Sequence, residues 1–178
     1  TLAAERISGV QSEGVAAVLD HFAGSNQATG KFTCDSMIDK RALHEIYLKP
    51  FETAIKQSNP KAVRCGFNKI NGLASCENHV LLTDILKRQW NFEGAVLTDL
   101  RVADAAEAMA CGVDMAFPRV GWRIKRKLKK ALKDEELPLH YPKAAAERIQ
   151  NASEFNVSDF SAPLSEEECR EIAVKAAE

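Results

Sequence analysis

Residues 94–118 read GAVLTDLRVADAAEAMACGVDMAFP. Gly94 opens a compact apolar run that closes on the polar Thr98 and Asp99, as a buried strand does. A helix is predicted over residues 102–111, and residues 112–118 return to a short apolar run behind Gly112. A strand, a helix and a second strand in so short a span call for a right-handed parallel crossover. The same unit recurs upstream. Residues 62–67 (AVRCGF) form a strand candidate, followed by the turn-rich Asn68-Lys69-Ile70-Asn71-Gly72 and a helix over residues 80–90. Before it, residues 15–19 (VAAVL) form a strand that follows Gly14 and ends in Asp20-His21. Asp39 then caps a helix through residue 57, with Leu43, Ile46, Tyr47, Phe51, Ala54 and Ile55 along one side. Downstream lie a basic helix, a helix over residues 142–155, and a linker at residues 156–163 (NVSDFSAP). The fold class is α/β, built of parallel βα repeats. Four such units make either a small open sheet or half of an eight-stranded barrel, and periodicity does not choose between them.

Composition narrows the function classes. The chain has 178 residues, 46% hydrophobic and 28% charged, which excludes disorder and a collagen-like repeat. No run approaches ~18 apolar residues, so no membrane helix is predicted. The net charge is −1, yet residues 123–133 carry Arg123, Lys125, Arg126, Lys127, Lys129, Lys130 and Lys133 with no acid, leaving 17 basic against 25 acidic side chains elsewhere. Ile124, Leu128 and Leu132 recur every four residues through that run, so its cations are read as the solvated face of an amphipathic helix, and a nucleic-acid partner is not expected. The five cysteines (34, 65, 76, 111 and 169) have neither CxxC nor Cys/His ligand spacing. Free, mostly buried thiols follow, with no metal and no cofactor, and they favour a reducing compartment. The sequons at Asn151 and Asn156 would matter only in a secreted protein, so cytoplasm and secretion both stay open. The opening TLAAERISGVQSEG reads as the middle of a helix, and REIAVKAAE stops inside a helical pattern. Sequence beyond both ends is therefore expected.

In a parallel α/β architecture the carboxyl ends of the strands build the site. Four segments qualify: Asp20-His21-Phe22, Phe67-Asn68-Lys69, Thr98-Asp99-Leu100 and residues 114–118. Taken alone, Asp99 is most simply the N-cap of the next helix, and His21 a hydrogen-bonded structural histidine. There is no GxGxxG, P-loop, HExxH or GxSxG, which removes most support for nucleotide binding, zinc proteolysis and α/β-hydrolase chemistry.

The blocks GVAAVLDHFAGSNQ, DKRALHEIYLKPFETAI, KAVRCGFNKINGLASCEN, LLTDILKRQWNFEGAVLTD and ACGVDMAFP resemble, in that order, the catalytic barrel domain of family 3 glycoside hydrolases, the β-glucosidase group. The likeness runs from about Ala3 to Ile149. RALHEIYLKPFE, the FNKING turn and the spacing from LLTDIL to VLTD are its most specific parts. The terminal REIAVKAAE is similar to the helix that opens the family's second domain. The resemblance implies strands five to eight of a TIM-type (β/α)8 barrel over residues 1–155, with residues 156–178 leading to a second domain. It implies a retaining glycosidase acting on β-glucosides, Asp99 as nucleophile, and an acid/base glutamate beyond Glu178. His21 keeps its family position as a ligand of sugar hydroxyls.

Three substrate-binding positions depart from the family pattern. Asp20 stands where the family usually has a lysine, Phe67 where a tyrosine is common, and Leu100 where a tryptophan often follows the nucleophile. A carboxylate in place of that cation would, beside Asp99, raise the pKa of both groups and weaken the nucleophile, and each lost donor costs about 1–3 kcal/mol where its partner stays buried. Arg64 lies within the sixth barrel strand, its side open. Two readings follow: part of a β-glucosidase-like hydrolase, or a catalytically degenerate relative serving as a structural or interaction subunit. In either case the isolated chain is predicted inactive, and half a barrel needs its open sheet edges covered by the remaining barrel or another chain.

Overall fold

The computed structural model describes residues 2–98, 104–117, 121–153, 165–167, 170, 171 and 174. In chain order, α1 (Leu2–Ser12) leads into β1 (Val18–Phe22) and then β2 (Asp35–Ser36). The short α2 (Lys40–Ala42) passes through a wide turn at Leu43–Tyr47 into α3 (Lys49–Ser58), which is followed by β3 (Ala62–Cys65). Two short strands, β4 (Lys69–Ile70) and β5 (Leu73–Ala74), and a π-wound helix at Val80–Gln89 precede β6 (Ala95–Leu97). Then come α4 (Ala105–Cys111), α5 (Gly121–Lys133) and α6 (His140–Ser153).

The main sheet has the order β1-β3-β6, all parallel, so spatial order follows chain order. A parallel bridge from Leu97 to Met115 extends it by one more segment. This is the βα repeat expected from residues 94–118. A second small sheet, β2-β4-β5, ties the loop after β1 to the loop after β3. Its hairpin turns on Asn71 and Gly72, both at positive φ (51° and 89°), the combination a type I′ turn requires.

One face of the main sheet is sealed by helices. Val63 and Val96 are fully buried there, packed with Leu82, Leu86, Trp90 and Phe92. The Phe22 ring meets Phe51 and Trp90 edge-on at 5.1 and 5.8 Å, which fixes the end of β1 against this layer. The opposite face carries Val18 (47% exposed), Asp20, Arg64, Leu97 and Met115 (40% exposed). That contrast between the two faces decides where a ligand can reach.

Four local expectations are corrected. The first strand starts at Val18 rather than residue 15, because pairing with β3 begins at Ala62 and Val15 has no strand beside it. Asp20 and His21 therefore lie within the strand, not after it. The helix predicted over residues 39–57 does start with Asp39, whose carboxylate accepts from the N–H groups of Arg41 and Ala42, but it is broken. Pro50 has no N–H for the turn before it. The chain widens there, Leu48 N–H bonding to the Leu43 carbonyl. Ile46 is rotated out to 64% exposure, and Leu48 takes the buried place. The cap of the helix after β6 is Asp104, bonded to Ala106 N–H at 2.8 Å, so the capping role considered for Asp99 falls to another residue. Finally, the run at residues 112–118 forms a single bridge rather than a strand. The basic helix forms with Ile124, Leu128 and Leu132 half-buried and its cations outward, except that Trp122 lies between Arg123 and Arg126. Cys65 and Cys76 are buried thiols, and the four described cysteines are unbridged. Among the described residues, no helix is long and apolar enough to cross a membrane.

Candidate active site

Three parallel strands end on the same side, and their ends gather the candidate residues. β1 carries one residue too many between its pairs Leu19↔Val63 and Phe22↔Cys65. Such a bulge re-aims a side chain at a strand end. Here it sends Phe22 into the core at 0% exposure and leaves the His21 side chain 43% exposed, with φ at 60°. Phe22 is thus a packing residue, not a ligand.

Phe67 follows β3 and comes alongside, its ring centroid 5.3 Å from that of His21. Asn68 fixes this approach. It is 3% exposed and its side-chain amide donates to the carbonyls of Ala23 and Gly24 in the neighbouring loop. Gly66 permits the fold-back, since a Cβ there would lie 2.5 Å from Asn68 Oδ1. The loop after β1 adds Lys31, whose Nζ lies 4.5 Å from the Phe67 ring centre, and Phe32, edge-on to Phe67 at 4.9 Å. Neither was foreseen, because an isolated Lys-Phe pair in a turn carries no periodic signal.

The direction of Arg64, open in the sequence, is resolved. The register sets Asp20 and Arg64 side by side on the accessible face, and Arg64 Nε donates to Asp20 Oδ1 at 2.7 Å while its second nitrogen bonds Oδ2. Asp20 Oδ1 also accepts from the His21 backbone N–H at 2.7 Å, and Oδ2 lies 3.5 Å from His21 Nδ1. Burial pushes the Asp20 carboxyl up, but the Arg64 bond, the His21 N–H and the neighbouring charges outweigh it and hold the group below its usual range. The carboxylate at position 20 is therefore neutralised in place and does not stand as a bare second charge.

β6 delivers Thr98, fully buried. Its N–H donates to the Met115 carbonyl at 2.9 Å and its Oγ1 accepts from Phe117 N–H at 3.0 Å. The residue before Asp99 is thus clamped from both directions. Asp99 and Leu100 themselves, with Pro118, lie outside the described residues. Asp114 is no ligand: 6% exposed, it bonds Lys87 Nζ at 2.7 Å and Val96 N–H at 2.8 Å. Among the described residues no three His, Cys, Asp or Glu side chains gather in a way that could hold a metal ion. What remains is a polar and aromatic cluster of His21, Phe67, Lys31 and the Asp20–Arg64 pair at the carboxyl ends of the strands.

Residues 1–152 match the family described as glycosyl hydrolase family 3 N terminal domain. Thermostable beta-glucosidase B of Acetivibrio thermocellus is 40% identical over 149 residues, 83% of this chain and 20% of that protein. An exo-alpha-(1->6)-L-arabinopyranosidase of Bifidobacterium longum is 41% identical over 113 residues, 63% of this chain and 15% of that protein. Among solved structures, the Bifidobacterium adolescentis GH3 beta-glucosidase superposes with a TM-score of 0.90 at 29% identity, covering 98% of this chain and 26% of that one. Beta-glucosidase 3B of Thermotoga neapolitana, in complex with alpha-D-glucose, gives 0.87 at 30%, covering 97% and 26%. The chain spans a fifth or less of the length of these two curated relatives.

Proposed function

This chain belongs to glycosyl hydrolase family 3, and from that membership we propose that it supplies strands five to eight of the catalytic (β/α)8 barrel of a retaining β-glucosidase-type enzyme. Residues 1–155 are the barrel part, and residues 156–178 lead to a second domain. Asp99 is the nucleophile, and the acid/base glutamate comes from outside these residues. The observation that carries the reading is the convergence of β1, β3 and β6, which set His21, Phe67 and the clamped Thr98 at neighbouring strand ends.

The chemistry follows from the residue types. A carboxylate attacks the anomeric carbon while a protonated partner gives its proton to the departing glycosidic oxygen. Water then cleaves the glycosyl ester with the same partner as base, giving back the anomeric configuration of the substrate. Thr98, the neighbour of Asp99 in the chain, is held by Phe117 N–H, and the Asp20 carboxylate is already paired with Arg64. His21 and Lys31 bind sugar hydroxyls, and Phe67 forms an apolar wall under the ring. A terminal β-D-glucosyl residue is the proposed substrate. The degenerate-subunit reading rests on the departures at Asp20, Phe67 and Leu100; the pairing of Asp20 with Arg64 answers the first, and the likeness to proteins named beta-glucosidases does not favour that reading.

The test is covalent trapping. The complete gene product, incubated with a 2-deoxy-2-fluoro-β-D-glucosyl fluoride, is expected to gain one fluoroglucosyl group on the peptide containing Asp99. Asp99→Asn is expected to lose the label and to lower kcat with an aryl β-glucoside by more than about 10³-fold. Labelling of another carboxylate, or full activity in Asp99→Asn, would refute the assignment.

A further inference from the structure

We propose that Arg64 and Asp20 form a positioning pair for His21, the guanidinium fixing the carboxylate and the carboxylate holding the imidazole with its proton on Nδ1 and its lone pair on Nε2. The role of His21 as a sugar ligand rests on the function proposed above. The tautomer itself does not.

Three observations carry it. First, adjacent parallel strands bring Asp20 and Arg64 together, and two bonds join the guanidinium fork to both carboxylate oxygens. A two-point contact fixes the plane of the carboxylate as well as its place, which a single ammonium cannot do. Second, His21 has φ at 60°, a left-handed conformation disfavoured for a side chain of this size, and Asp20 Oδ1 accepts its N–H at 2.7 Å. A side chain that only donates, such as lysine, could not make this tie. Third, Asp20 Oδ2 lies 3.5 Å from His21 Nδ1. A lone pair on Nδ1 would face a carboxylate oxygen and be repelled, whereas an N–H there is attracted. The charge that faces one ring nitrogen thereby sets the state of the other. The ring is bounded by Phe67 at 5.3 Å, and its side chain remains 43% exposed for a ligand.

Asp20 and Arg64 thus act on a ligand through His21 and are positioning residues. Their effect should appear in the ring's protonation state, which an ion pair that served only stability would not move. The chain has four histidines, so His21→Gln identifies the His21 signals in long-range proton–nitrogen spectra of the ¹⁵N-histidine-labelled protein. At a pH where the ring is neutral, the wild type is expected to show a protonated Nδ1 and a bare Nε2. Asp20→Ala and Arg64→Met are expected to shift the proton toward Nε2, and Arg64→Lys to restore part of the wild-type pattern. Should Asp20→Ala fail to fold, Arg64→Met and the wild-type spectrum still decide. A wild-type Nε2–H ring, or the same tautomer in both variants, overturns the proposal. In kinetics of the complete gene product with an aryl β-glucoside, Arg64→Met is expected to raise KM about tenfold with kcat changed less than about twofold. If the tautomer shifts as expected but no glucoside is bound or hydrolysed, the sugar-site reading fails and the positioning pair stands.

Discussion

Asp114 accepts from Lys87 Nζ at 2.7 Å and from Val96 N–H at 2.8 Å, with 4% of its side chain exposed and 14% of that of Lys87. Burial pushes the Asp114 carboxyl up and the Lys87 ammonium down, each toward neutrality, and the attraction between them opposes both shifts. Such a pair is expensive to break from one side, because the surviving charge is left without a partner. Asp114→Ala also strips the Val96 N–H of its acceptor, so it is expected to cost about 3–5 kcal/mol in urea denaturation. A loss under about 1 kcal/mol would show that water replaces the missing carboxylate. The residue type alone did not reveal this role. Asp114 stands in a strand-end segment and so qualified as a site candidate, while its burial depends on the helix Val80–Gln89 bringing Lys87 across from elsewhere in the chain. The direction of Arg64 was hidden for the same reason, since it follows from the register of β1 on β3, which no single segment encodes. The blocks around His21, Phe67 and Thr98 were readable because each lies at the end of a short apolar run.

At the scale of elements, the alternation of strands and helices was legible wherever one face had to be apolar. The basic helix shows this: its apolar stripe points inward and its cations outward, as the four-residue spacing requires. Boundaries were less readable. They depend on which backbone groups find partners, as with Val15, and on Pro50, whose missing donor widens the preceding turn enough to exchange Ile46 for Leu48 in the core. The cap of α4 makes the point quantitatively. Two acidic residues, Asp99 and Asp104, precede that helix, and the one that caps it is bonded to Ala106 N–H and Glu107 N–H. Asp104→Ala is expected to destabilise the protein by about 1 kcal/mol, and Asp104→Asn or Asp104→Ser by less, since their side-chain oxygens can still accept. Thermal unfolding of the three variants checks this. Equal losses in all three would mean that Asp104 acts through its charge on Lys127, 3.8 Å away, rather than as a cap.

At the scale of the whole molecule, the unequal faces of the main sheet govern what the chain can do. Helices seal the face of Val63 and Val96, while Val18, Leu97 and Met115 share the other with the Asp20–Arg64 pair. A charged pair amid half-exposed apolar side chains suits the interior of a barrel near its mouth, where a polar ligand enters over a packed floor. It suits the surface of a solitary domain poorly, because the apolar members would stay wet. The proposed placement as strands five to eight therefore has a physical consequence that needs no substrate. A preparation of these 178 residues alone is expected to enhance the fluorescence of a dye that binds apolar surfaces and to elute earlier from a sizing column as its concentration rises. Val18→Glu and Met115→Glu, which charge the open face without touching the helix-sealed core, are expected to reduce both effects. A monomer that binds no dye at any concentration would mean that the face is closed within the chain, and the half-barrel placement would fall. If both effects appear and the glutamate variants abolish them, the open face is the surface on which the rest of the barrel sits.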